Sequence, residues 1–176
     1  MDKNSFWHIV ESSKINLKVY CPEEHTKCLK RELNQLSLDE LSSFETTRWK
    51  LMNQSYTCSL WDASVLITKD DSDEVFYGFR TGLMFQGEDV FLNSIRLPDQ
   101  VLSNLWGVDK FEDCASLGYA AQVVYEEKTG DTESSIPLLD EKITFPVGEP
   151  RGKSISHESE LLRERYPKLY KQYIEQ

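Results

Sequence analysis

The densest run of aromatic and aliphatic residues lies between Leu60 and Phe91, and its spacing is helical in two pieces. Leu60, Ala63, Ser64 and Ile67 fall on one side of a first helix, while Trp61 and Val65 widen its apolar stripe toward a second neighbour. Phe76, Phe79 and Leu83 mark the face of a second helix, with Val75 and Met84 beside them. Between the two runs an acidic connector, Lys69-Asp70-Asp71-Ser72-Asp73-Glu74. Its pattern predicts a helix start capped by Asp71, with Glu74 reaching back from three residues on, and with Asp73 and Glu74 favoured by the helix dipole. Gly87 is placed to close the second helix in the left-handed conformation.

The same periodicity continues outward in both directions. Asn4 is the expected cap of a first helix carrying Phe6, Trp7 and Val10 and ending near Asn16. Pro22, followed by Glu23 and Glu24, starts a second with Leu29, Leu33 and Leu36 on one face. Ser37 and Glu40 form a capping box ahead of a helix that carries Leu41, Phe44, Arg48, Leu51 and Met52 to about Tyr56. Val90, Phe91 and Ile95 predict a short helix, and Pro98 begins another through Val101, Leu102, Leu105 and Trp106. A helix from Lys110 to about Lys128 presents Phe111, Cys114, Gly118, Ala121 and Tyr125, its small residues allowing close approach of a neighbour. From Asp131 to Ser156 prolines and glycines break every long period, leaving an irregular loop with one short strand expected around Ile143 to Phe145. Leu161, Leu162, Tyr166, Leu169, Tyr170 and Tyr173 give a terminal helix, broken at Pro167. These patterns predict an all-α fold, with residues 1–176 as a single compact helical domain and 131–156 as the loop before the C-terminal helix.

The central residues also carry a resemblance. Leu60-Trp61, Ala63, Leu66-Ile67, Ser72-Asp73-Glu74-Val75-Phe76, Phe79-Arg80, Leu83, Gly87 and Val90-Phe91 resemble the signature of a bacterial domain of unknown function, family 4240. The similarity extends to Phe6-Trp7 and to Tyr166-Pro167-Lys168-Leu169-Tyr170. Where that family usually has a Gly-Gly-Cys turn this chain has Lys69, Asp70 and Asp71, so any role of the turn's cysteine is absent here. Gly82 stands where a large aromatic is common. The resemblance implies a fold and no activity.

Composition narrows the function classes. Hydrophobic residues at 39% and charged residues at 28% suit a soluble globular protein, and no apolar run approaches the roughly 20 residues of a membrane span. The start, Met1-Asp2-Lys3-Asn4-Ser5-Phe6-Trp7, lacks the order of a signal peptide, so a cytoplasmic location is expected. A net charge of -10 argues against nucleic acid as a partner and permits a cationic one. Cys21, Cys28, Cys58 and Cys114 are scattered and read as reduced thiols, and His8, His25 and His157 are too dispersed for a metal centre. A calcium loop fails on its own pattern. Counted from Asp71, the glycine position holds Phe76 and the closing glutamate position holds Gly82.

Phosphate loops, nucleophile elbows and zinc helices are missing from the sequence, and no cofactor or metal is expected. The first functional expectation is therefore a noncatalytic domain that binds another protein with a basic surface, in its specific form an immunity or antitoxin-like protein. The alternative is a small-ligand protein or enzyme with a carboxylate and arginine site near the central helix pair, built from Asp62, Asp73, Glu74, Arg80 and Glu88. The plainest reading of Arg80 is that it ties helix ends together by pairing with acidic neighbours.

Overall fold

The computed structural model describes residues 1–14, 21–143 and 148–175. Among them the architecture is all-helical, with one isolated parallel bridge between Thr57 and Arg151. The elements are α1 (Lys3–Lys14), α2 (Pro22–Leu33), α3 (Leu38–Ser55), α4 (Cys58–Thr68), α5 (Asp73–Met84), α6 (Glu88–Arg96), α7 (Pro98–Leu102), a 3-10 segment (Val108–Cys114), α8 (Ala115–Thr129), α9 (Ser159–Arg165) and α10 (Pro167–Tyr173). The strand expected around Ile143 to Phe145 falls largely on residues 144–147, outside the described residues, as does the expected end of α1 near Asn16.

Of all the elements α5 is the most central, packing against α3, α4, α6, α8 and the 3-10 segment. Its phenylalanines explain that position. Phe76 and Phe79 are fully buried, Phe76 edge-on to Trp61 at 4.9 Å and Phe79 against Phe111 at 6.2 Å between ring centroids. Two glycines on the same helix admit the 3-10 segment. A side chain at Gly78 would collide with the Glu112 backbone, and at Gly82 a Cβ would sit 2.6 Å from that of Phe111. The aromatic common at position 82 in the resembled family has no room here, because Phe111 fills that space from the other side.

Local chemistry sets the helix ends. Ser37 and Glu40 form the capping box in both directions, which stabilises α3 by about 1 kcal/mol. Two caps differ from expectation. Asp2, not Asn4, accepts the Ser5 amide at 2.8 Å at the start of α1, and Ser72, not Asp71, accepts the Val75 amide at the start of α5. In each case the cap stands three residues before the free amide it satisfies, whereas Asn4 already lies inside α1 and Asp71 stands four residues before Val75. Gly87 has a positive φ of 103°, yet its ψ of 170° makes it the extended entry to α6, whereas α5 has already ended at Met84. The left-handed stop lies at Lys69, with φ 63° and ψ 21° at the end of α4. That is the first position of the turn for which the family pattern has glycine, and Lys69 offsets part of the strain by donating from Nζ to Leu66 O at 2.7 Å.

The helix predicted from Lys110 to Lys128 is divided. Val108–Cys114 is wound as a tight 3-10 segment against α5, and the wider α-helical winding begins at Ala115. The pattern after Pro98 also shortens. α7 stops at Leu102 and Trp106 stands 67% exposed rather than on an apolar helix face. Trp61 is half-buried, while the connector Asp70 to Glu74 is exposed throughout. Pro167 divides the terminal helix as predicted, with Tyr166 between the two pieces.

Candidate functional site

The predicted site residues lie on three elements, and two of them, Asp62 and Arg80, are engaged by backbone. Asp62 on α4 is fully buried and faces the last residues of the loop. Its Oδ1 accepts from Ser154 Oγ at 2.6 Å and from the Ile155 amide at 3.1 Å. Burial pushes the Asp62 carboxyl above the usual range, while the bonds from Ser154 and Ile155 pull it back. The cavity beside it, about 300 Å³, is lined by Trp61, Asp71, Glu149 and residues 154–158, and Asp62 is not part of its wall.

Arg80 is buried on α5. Its Nη1 donates to Met52 O at 2.9 Å near the end of α3, and its Nε approaches Phe76 O at 3.3 Å. The guanidinium lies 4.5 Å over Phe76 and 4.8 Å over Tyr56. Arg80 therefore ties a helix end, as expected, but does so through a carbonyl and two aromatic faces rather than an acidic partner. Burial pushes its guanidinium down to about 10, still charged at neutral pH. Asp73 joins this group through Tyr56, whose hydroxyl lies 3.2 Å from Asp73 Oδ1 and 2.8 Å from Gly148 O. Glu74 is exposed in the first turn of α5, and Glu88 lies past its far end, in the first turn of α6. A helix rising 1.5 Å per residue puts roughly 17 Å between the two ends of α5. Asp73 and Arg80 are brought together, Asp62 faces a different segment, and Glu88 stands apart.

A second constellation is built around Arg48, which the periodicity of α3 placed without giving it a role. Arg48 and Glu45 are buried on α3 as a bidentate pair, Nη2 to Oε1 at 2.6 Å and Nε to Oε2 at 2.9 Å. Arg48 also reaches the Tyr77 hydroxyl at 3.3 Å and lies 4.5 Å over the Trp49 ring. Burial works against the Arg48 cation and Glu45 more than restores it, so it holds its proton above the ordinary arginine range. The signal was present. Opposite charges three residues apart, enclosed by Leu41, Phe44, Leu51 and Met52, mark a pair that cannot lie on a solvated face.

A third feature is electrostatic. Seating the 3-10 segment on α5 brings Asp109, Glu112 and Asp113 to the side where the connector displays Asp70. Glu112 is raised above the usual carboxylate range, first by partial burial and then by Asp113, Asp70 and Asp109. Among the described residues no group of three or more metal-ligating side chains converges on a common point. No described helix is long and apolar enough to cross a membrane.

Comparison with known proteins adds the family. Residues 1–127 match the model of a family described as "Protein of unknown function (DUF4240)". The chain belongs to this family. The DUF4240 match contains α1 through most of α8, and with them Arg80, Asp62, the buried Arg48 pair and the acidic connector. It stops before the loop and α9–α10, so the Tyr166 to Tyr170 motif lies beyond it. No curated protein and no solved structure gives a significant match.

Proposed function

We propose that this chain is a noncatalytic binding domain that acts in the cytoplasm on another protein with a basic surface, as an immunity or antitoxin-like protein does. The observation that supports this reading most is the approach of two acidic segments, distant in sequence, where Asp70 of the connector lies close enough to Glu112 of the 3-10 segment to raise its carboxyl, which gives an acidic face. Asp70, Asp71, Asp73 and Glu74 come from the connector, and Asp109, Glu112 and Asp113 from the 3-10 segment held against α5 by Gly78 and Gly82. Among the described residues the ion-pair partner of this group is exposed His157, 3.8 Å from Asp71. Such a face accelerates encounter with a cationic partner and excludes acidic ones. The exposed Trp106 lies three residues before Asp109 and is the kind of side chain that anchors an interface.

The alternative, an enzyme or small-ligand site made of Asp62, Asp73, Glu74, Arg80 and Glu88, has weaker support. Asp62, Asp73 and Arg80 are engaged with Ile155, Tyr56 and Met52, and Glu88 lies roughly 17 Å of helix away from Asp73. The binding reading is tested with the purified products of neighbouring genes. Calorimetric titration should give a complex that weakens with salt and loses at least about tenfold in affinity when Asp70, Asp109 and Asp113 become Asn and Glu112 becomes Gln. Equal affinity in that variant, or no complex with any neighbouring product, contradicts it.

A further inference from the structure

A cleft of about 440 Å³ opens between α3, α8 and the segment 132–138, within the usual size of a small-ligand site. Its walls are Glu45, Arg48 and Trp49 from α3 and Gly118, Tyr119, Gln122 and Glu126 from α8. The third wall is fastened in place. Gln122 donates to Ser134 O at 3.1 Å and accepts the Ile136 amide at 2.8 Å, and the Leu139 amide donates to Thr46 Oγ1 at 2.9 Å. The cleft is therefore held open by bonded walls and needs no rearrangement to accept a guest.

We infer that this cleft binds an organic cation, a guanidinium or alkylammonium head on an apolar stem. Charge makes the first argument. Arg48 is neutralised by Glu45 within the wall, which leaves Glu126 and Glu133 as the charges without an ion-pair partner among the described lining residues. Phosphates and carboxylates are disfavoured there. Aromatic faces make the second. Trp49 and Tyr119 both line the cleft, Tyr119 57% exposed, and Tyr77 stands behind them, 5.8 Å from Tyr119 and 6.3 Å from Trp49 between ring centroids. Such rings attract cations through their negative faces. The cleft already contains one guanidinium held this way, since Arg48 is paired with a glutamate and stacked on Trp49. Gly118 keeps the arrangement possible, because a side chain there would collide with the Tyr77 hydroxyl. A tyrosine left mostly in water beside a buried ion pair serves packing poorly, and it suits a ring that waits for a guest.

This site is separate from the acidic face, and the experiment keeps the two apart. Agmatine, the tripeptide acetyl-Gly-Arg-Gly-amide and its uncharged citrulline counterpart are titrated calorimetrically into the protein, into Tyr119→Ala, into Glu126→Gln and into the charge-neutralised acidic-face variant. Thermal melts of each variant check that it is folded. At least one of the two cations should bind saturably at one per chain, about tenfold more weakly in Tyr119→Ala and in Glu126→Gln, and unchanged in the acidic-face variant. Binding of the peptide alone assigns the cation to a partner protein's side chain; binding of agmatine alone assigns it to a free amine. Saturation by neither cation, equal binding by Tyr119→Ala, or equal binding of the citrulline peptide overturns the inference.

Discussion

Within residues 1–127 the chain buries phenylalanines, leucines and tryptophans from α1 to α8 in one continuous cluster. Among the described residues the chain after α8 adds Ile136, Ile155, Leu162, Tyr166 and Leu169 to the buried apolar set, and it is fastened by hydrogen bonds as well. Arg151 donates to Asn53 O and Gln54 O, both at 2.8 Å, and its carbonyl accepts the Cys58 amide at 2.9 Å. Asp62 holds Ile155, the Tyr166 hydroxyl donates to Ser59 O at 2.9 Å, and Asp99 accepts the amides of Lys168 and Leu169 at the start of α10. The difference teaches what the polar residues of the central helices are for. Asp62, and Asp73 through Tyr56, are attachment points for the later segment, which accounts for the buried Asp62 carboxylate in a domain without reaction motifs.

The contrast can be broken first in the core. Phe79→Ala removes a fully buried ring at the centre of the cluster and should cost about 3 to 5 kcal/mol, a large share of the roughly 5 to 15 that holds such a domain. A denaturant melt should show the whole protein losing stability, the later segment included.

Acid should loosen the same region. His25 is fully buried on α2 beside Phe85, with Nε2 2.9 Å from Ser13 Oγ, and burial, then Lys14, push it down to about 4. The folded state thus holds the neutral ring, while the unfolded chain takes up a proton near pH 6.5. Its contribution is complete above about pH 6.5 and is lost as pH falls toward 4, by up to roughly 3 kcal/mol. His25→Phe should flatten the stability profile across that window, and an unchanged acid slope would mean that other groups govern it.

The smallest effect belongs to the exposed connector. Asp70→Asn with Asp73→Asn should change stability by less than about 1 kcal/mol, because exposed charges near a helix start are each worth tenths to one. If that pair unfolds the protein in a thermal melt while Phe79→Ala does not, core and surface have been exchanged.

Much of the fold was readable wherever a helix pays one face to the core. Leu60, Ala63, Phe76, Phe79 and Leu83 were placed by period alone, and the Ser37 box and the Pro22 and Pro167 starts follow from local chemistry. The misplacements have physical causes. A cap one or two residues away reads almost the same, so the pattern points to Asn4 and Asp71 where the structure uses Asp2 and Ser72. The 3-10 winding of Val108–Cys114 depends on Gly78 and Gly82 in another helix, which no local pattern records. The candidate site was less readable. Asp62 and Arg80 stood out as polar residues in an apolar run, but their partners lie at Ile155 and Met52, and contact across such separations leaves no trace in spacing. The cleft beside Arg48 likewise needs the segment 132–138 to be folded over α8.

The attachment role of Asp62 is tested most directly by native-state hydrogen exchange on Asp62→Ala. The variant strips the carboxylate from Ser154 Oγ and the Ile155 amide, at a cost of about 1 to 3 kcal/mol. Amides from Ile155 through Leu169 should exchange faster while those of α5 keep their protection. Uniform acceleration across the chain, or unchanged protection after Ile155, would contradict the division between a packed body and a hydrogen-bonded strap.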